Sequence, residues 1–131
     1  MKSVQPTVAT LPRILLIEDD PGLRDTLAEA LVERGYDVSC ASDGREALAS
    51  LGTRPAPSVI LLDLVMPVMD GWTFRAEQRR DPRLASIPTI VLSASLGGDP
   101  RAIDRLAPAE MLTKPVDLER LVAAVERARA A

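Results

Sequence analysis

Residues 13–20 read Arg13-Ile14-Leu15-Leu16-Ile17-Glu18-Asp19-Asp20. A short aliphatic run between polar flanks predicts a buried strand, and this one ends in three carboxylates. Two further runs share its character: Val59-Ile60-Leu61-Leu62, which ends in Asp63, and Thr89-Ile90-Val91-Leu92, which ends in Ser93. Pro21 stands where a helix begins, and Leu23, Leu27, Ala30 and Leu31 recur at helical spacing up to a stop at Gly35.

The same reading continues outward. Residues 36–41 alternate like a strand, Asp43-Gly44 makes a turn, and Arg45 to Leu51 reads as a short helix. Pro55 and Pro57 break the chain before the second apolar run. Met66-Pro67 to Asp70-Gly71 is a loop rich in breakers, and Trp72 to Arg80 is helical. Pro100 to Leu106 reads as a weak helix. Met111 to Thr113 is a short strand leading into Lys114-Pro115, and Asp117 can cap a last helix with Leu118, Leu121, Val122 and Val125 on its apolar face. Strand and helix thus alternate five times. That order predicts an α/β fold: a five-stranded parallel sheet, doubly wound, with helices on both faces and right-handed crossovers.

The composition agrees. Aromatics make up 2% of the 131 residues and apolar residues 47%, so the core must be aliphatic, as in a sheet covered on both sides. A length of 131 residues fits one domain; residues 1–12 read as a flexible lead-in and 13–131 as the domain, with no repeat. The net charge of −3 disfavours nonspecific binding to nucleic acid or to anionic membranes. The single cysteine, Cys40, can form no internal disulfide and reads as a small buried residue; with no histidine in the chain there is no zinc site. No apolar run spans a bilayer and the N-terminus lacks a signal-peptide core, so a cytoplasmic location is expected.

In doubly wound folds, ligands bind at the carboxyl ends of the strands. Glu18-Asp19-Asp20, Asp63, Ser93 and Lys114 stand at those ends. Clustered carboxylates repel one another, and a divalent cation relieves the repulsion; Mg²⁺ takes a carboxylate pair, a backbone carbonyl and waters. Asp63, apart from the acidic cluster and at the end of an apolar strand, suits a nucleophile forming an aspartyl phosphate. Lys114 offers a compact positive charge to one phosphoryl oxygen, and Ser93 a hydrogen bond to another. Each residue alone has a plainer reading. The acids can cap a helix, Asp63 can be an N-cap, Ser93 can bond backbone, and Lys114 can be a solvated surface cation.

Four stretches together resemble the marks of CheY-like response regulator receiver domains: ILLIEDD at 14–20, DLVMPVMDG at 63–71, LSA at 92–94 and TKP at 113–115. They occur in the family order, and the resemblance runs from Arg13 through most of the chain. It implies Asp63 as phosphoacceptor and Asp19 as a direct Mg²⁺ ligand, with Glu18 acting through water and the Val65 backbone carbonyl completing the protein's share. The step from Asp19 to Arg24 sets that register and leaves Asp20 a neighbour. Ser93 matches the hydroxyl that moves toward the phosphoryl group, and Lys114 the lysine that binds it, with a cis bond before Pro115. The implied partners are a sensor histidine kinase or histidine phosphotransfer protein, a downstream target or an output domain in a longer parent chain, and a homodimer through the C-terminal helices.

Two positions depart from the family pattern. Met111 stands where Tyr or Phe is frequent, so no aromatic ring is available to switch rotamer there. Ala107-Pro108 stands where Gly-Ala is common, and proline stiffens the backbone. Val65 and Ser95 hold positions that modulate water attack in the family; neither carries an acid or amide, so self-dephosphorylation is expected to be slow. The competing readings are a pseudo-receiver, an interaction module that no longer uses phosphate, and an enzyme. Val65 stands where haloacid-type hydrolases carry a second acid, and three acids after the first strand would repel a flavodoxin's phosphate. Trp72 reads as packing against the loop after Asp63.

Overall fold

The computed structural model describes residues 11–94 and 100–130. Five strands, β1 (Arg13–Ile17), β2 (Asp37–Ala41), β3 (Val59–Asp63), β4 (Thr89–Ser93) and β5 (Glu110–Thr113), alternate with five helices. The helices are α1 (Pro21–Glu33), α2 (Gly44–Thr53), α3 (Gly71–Arg80), α4 (Pro100–Leu106) and α5 (Leu118–Ala130). All four strand pairs are parallel and the sheet order is β2-β1-β3-β4-β5. This is the expected doubly wound α/β fold. The order reverses between β1 and β3, so a crevice opens there at the strands' carboxyl ends.

Side-chain alternation sorts the strands' residues onto two faces. Ile14, Leu16, Val59, Leu61, Ile90 and Leu92 pack with Leu27 and Leu31 of α1 and with Leu121, Ala124 and Val125 of α5. Leu15, Ile17, Ile60 and Leu62 pack on the other face with Ala47 and Leu51 of α2 and Phe74 of α3. β3 and β4 are buried at every position, which is why their sequences show no polar alternation. Each fully buried leucine or isoleucine contributes about 2 kcal/mol by leaving water. A third, smaller cluster joins Leu64, Val91 and Leu106, with Met111 packed against it.

The helix starts follow their capping residues. The Asp20 carboxylate accepts from the N–H groups of Gly22 and Leu23 with Pro21 opening α1, Asp43 caps α2 through Glu46 N–H, and Asp117 accepts from Glu119 and Arg120 N–H. Gly35, at φ +93°, follows the end of α1 as a glycine terminator should. One expectation is overturned: Cys40 is exposed, because β2 is an edge strand of the sheet and its side chain joins neither packed cluster. Among the described residues, no helix is long and apolar enough to cross a membrane.

Candidate functional site

Residues just past β1 and at the end of β3 meet across the crevice. Oxygen atoms of Glu18, Asp19 and Asp63 lie within 4.8 Å of one another. Glu18 is fully buried and Asp63 is 4% exposed, while Asp19 is open to solvent. The backbone turns sharply after β1: Glu18 N–H still bonds the Ala41 carbonyl of β2 at 3.0 Å, and Arg24 of α1 reaches back to the Glu18 carbonyl at 3.0 Å. Asp20, by contrast, is committed to capping α1.

Lys114 follows β5. Its N–H bonds the Ser93 carbonyl at 2.8 Å, which sets the two strand ends side by side. Its ammonium lies 3.0 Å from Glu18 Oε1 and 3.2 Å from Asp63 Oδ1. The peptide bond from Lys114 to Pro115 is cis. Ser93 is 9% exposed at the end of β4, in register with Thr113. Asp63 Oδ1 also accepts from Val65 N–H at 3.3 Å, and Val65 itself is 77% exposed. The structure therefore brings Glu18, Asp19, Asp63 and Lys114 together, with Ser93 and Val65 beside them. Ser95 lies outside the described residues.

The loop after Asp63 is clamped from both sides. A Cβ on Gly71 would sit 2.5 Å from the Asp63 carbonyl oxygen and 2.7 Å from Leu64 Cα, so only glycine lets α3 begin this close to the end of β3. Gly71 N–H bonds the Leu64 carbonyl and Gly44 N–H bonds the Met69 carbonyl, both at 3.0 Å. Between these clamps Met69 N–H bonds the Pro67 carbonyl at 2.7 Å, a γ-turn around Val68, whose φ is +66°. A positive φ is the rare, strained hand of that turn, and valine is β-branched.

Burial is the main influence on the acids. It pushes Glu18 above the ordinary carboxylate range; Lys114 and the Asp20 N–H pull it back only in part, and the Asp63 charge adds to the rise. Burial likewise raises Asp63, opposed by the Lys114 charge and the Val65 N–H, while the nearby Asp19 adds to the increase. For Lys114, burial pushes downward, but Glu18 and Asp63 outweigh it and its ammonium is held above its ordinary value. One lysine thus serves two buried acids with a third beside them. Glu18 Oε1 is buried without a hydrogen bond among the described residues, although the Lys114 ammonium stands near it as an ion pair. A hard cation with oxygen preference fits this donor set, since it would answer the excess negative charge that one lysine leaves among three acids.

Two features of this half of the molecule were not read from the sequence. Trp72, expected to pack against the loop after Asp63, is 40% exposed and lines a groove facing α4. Arg75 of α3 is 6% exposed and has no carboxylate partner among the described residues. Its guanidinium bonds the carbonyls of Leu106 at 2.7 Å and Ala107 at 2.8 Å, Gln78 Oε1 at 2.8 Å and Thr89 Oγ1 at 3.0 Å. The signal available was the pairing of Arg75 with Gln78 at helical spacing on the side of α3 that also carries Phe74.

Comparison with known proteins agrees with this geometry. The model of the response regulator receiver domain family matches residues 14–126. The DNA-binding dual master transcriptional regulator RpaA of Synechocystis is 40% identical over 117 residues, 88% of this chain and 48% of RpaA. The chain thus spans about half the length of that relative. Chemotaxis response regulator CheY4 of Vibrio cholerae superposes with a TM-score of 0.83 at 28% identity, over 91% of this chain and 99% of CheY4. The receiver domain of sensor histidine kinase PA1611 from Pseudomonas aeruginosa, which has a magnesium ion coordinated in its active site cleft, gives 0.85 at 29% identity, over 93% of this chain and all of that one.

Proposed function

This chain belongs to the response regulator receiver domain family, and on that premise we propose that it is a phosphorylation switch whose acceptor is Asp63. The supporting observation is the convergence of Asp63, Glu18, Asp19 and Lys114 on one rim. Two buried acids and a lysine packed this closely have no structural need for one another, since apolar residues would fill the space at lower electrostatic cost. The donor is a phosphohistidine on a sensor kinase or phosphotransfer protein. An Asp63 carboxylate oxygen forms a bond to phosphorus as the phosphorus–nitrogen bond breaks, and the imidazole, already protonated on its other ring nitrogen, leaves neutral with the electron pair of that bond.

Asp19, Asp63 and the Val65 backbone carbonyl are the residues that would hold Mg²⁺, with Glu18 acting through water. When bound, the ion supplies charge neutralisation for the transferring phosphoryl group. Lys114 stands at Asp63 Oδ1 and is positioned to take a phosphoryl oxygen in place of its present ion pair. Ser93, at the neighbouring strand end, offers a hydroxyl to another. Val65 extends into solvent with no acid or amide to orient an attacking water, which supports a long-lived phosphorylated state. Output passes to a partner protein or to an output domain of a longer parent, with a homodimer through the C-terminal helices as one route.

The test is incubation with acetyl phosphate and Mg²⁺, read by intact mass. A gain of one phosphoryl group that vanishes in Asp63→Asn is the expected result. No gain under conditions that label a control receiver would overturn the switch. That outcome would favour a phosphate-independent interaction module, the reading that Met111 supports by packing where an aromatic switch would otherwise stand.

A further inference from the structure

Helix α3 and the C-terminal end of α4 enclose a groove of about 240 Å³, lined by Trp72, Arg75, Ala76, Arg105 and Leu106. Leu106 is 1% exposed and supplies an apolar floor, while Trp72 is 40% exposed at the wall. Among the described residues, no carboxylate lines the groove. Arg105 is exposed, and among the described residues no acid pairs with it or with Arg79, which caps the Arg105 carbonyl at 2.6 Å. The acids nearby are engaged elsewhere or lie aside. Glu77 pairs with Arg80 at 3.8 Å, Asp70 caps α3 through Thr73 N–H at 2.8 Å, and Asp104 is exposed on α4 without lining the groove.

The volume is below the usual range for a cofactor or drug-sized ligand and matches one large side chain. The walls are set in advance, because Arg75 of α3 bonds the carbonyls of Leu106 and Ala107 at the end of α4. A groove that need not be ordered on binding saves the ligand that part of the cost. An aromatic wall, an apolar floor and guanidinium groups without acids together select one chemistry. We propose that this groove docks an acidic segment of a partner protein bearing a phenylalanine-like side chain. The ring stacks on Trp72 over Leu106, and flanking carboxylates pair with Arg105 and Arg79. The net charge of −3 on the whole chain disfavours nonspecific binding to nucleic acid, and a groove with room for one side chain on an apolar floor suits a peptide. None of these residues belongs to the Asp63 rim, so the proposal stands apart from the phosphorylation reading.

Trp72 is the chain's only tryptophan, so its emission reports on the groove directly. The full chain is titrated with a Glu-rich peptide carrying one central Phe. Saturable change in Trp72 emission is expected, with roughly tenfold weaker binding when the Phe is replaced by Ser or when the protein carries Arg105→Glu. Arg45→Glu, the same charge change on exposed α2, should leave the affinity unaltered. No saturable change would overturn the proposal, and so would equal losses in the Arg105 and Arg45 variants, which would reduce the effect to net charge. Tighter binding of an oligo(dT) strand than of the peptide would also overturn it, by marking the face as a nucleic-acid surface.

Discussion

Among the described residues, charge is buried in two places and treated in opposite ways. At the rim, Glu18 and Asp63 are buried with a single lysine between them to answer both charges. At the α3–α4 junction, Arg75 is just as buried, yet all its bonds go to neutral groups: two carbonyls, an amide and a hydroxyl. Burial shifts all three groups toward their neutral forms, but an arginine cannot give up its proton near neutrality, whereas a carboxylate gains one readily. The junction is therefore closed, a charge fully spent on holding α4 to α3. The rim is open, and its electrostatics call for something from outside the chain. Each place also holds a residue in the left-handed region, Val68 at φ +66° and Ala107 at φ +43°.

The largest effect should come from breaking the closed site. Arg75→Met keeps most of the volume but takes the donor from the Leu106 and Ala107 carbonyls and leaves Gln78 Oε1 with the Thr89 hydroxyl alone. A loss of about 3 kcal/mol is expected, since removing one member of a buried charged network leaves its partners unsatisfied. Thermal unfolding should fall by about 10 °C. Arg75→Lys should recover little, because an ammonium cannot match the spread of a guanidinium. A melting temperature within a degree or two of the wild type would show that the junction does not hold the fold.

The open site should respond to an added ion where the closed one does not. At tenfold excess over its dissociation constant, Mg²⁺ should stabilise the chain by about 1.4 kcal/mol. Arg75→Met should keep that gain, and Asp19→Asn should lose it. Without metal, Asp63→Asn should raise stability by about 1 kcal/mol, because a neutral amide replaces a carboxyl whose charge burial disfavours. The pH dependence has a definite sign. Asp63 and Glu18 hold their protons more tightly folded than unfolded, so stability falls as pH rises from their ordinary values through their raised folded values. Denaturant melts across mildly acidic pH should show that fall in the wild type and a shallower one in Asp63→Asn. A stability that climbs through the same window would contradict the crowding.

The two regions also differ in how far the sequence discloses them. The rim is legible because Glu18, Asp19, Asp63 and Ser93 end runs of buried aliphatic residues and Lys114 follows the short β5, and the doubly wound order brings those ends together. Sequence could not show that Lys114 would span Glu18 and Asp63, since that depends on where β5 stands relative to β1 across the sheet. The Arg75 junction is almost invisible in one dimension: its partners at 78, 89, 106 and 107 are two carbonyls, an amide and a hydroxyl, and backbone carbonyls leave no mark in an amino-acid string. Cys40 misleads for a related reason. Its residue type favours burial, but the order that puts β2 at the edge is a property of the whole sheet.

The smallest effects test whether the two regions are independent. Val68 is 76% exposed, so Val68→Asn gives up little buried surface and gains a residue that tolerates the left-handed region; about 1 kcal/mol of stabilisation is expected. Ala107 follows the last turn of α4, where its N–H bonds the Ile103 and Asp104 carbonyls, the position that glycine usually takes. Ala107→Gly relieves less strain, because alanine is not β-branched, and it loosens the unfolded chain. About 0.5 kcal/mol should remain. The γ-turn at Val68 is clamped through Gly44 and Gly71, the end of α4 through Arg75 and Arg79, and the two share no hydrogen-bond partner. The double variant should therefore be more stable by the sum, within a few tenths of a kcal/mol. A larger departure, read from denaturant melts of the two single variants and the double, would mean that strain beside Asp63 is felt at the end of α4 through α3, and the distinction between an open and a closed site would dissolve into one coupled unit.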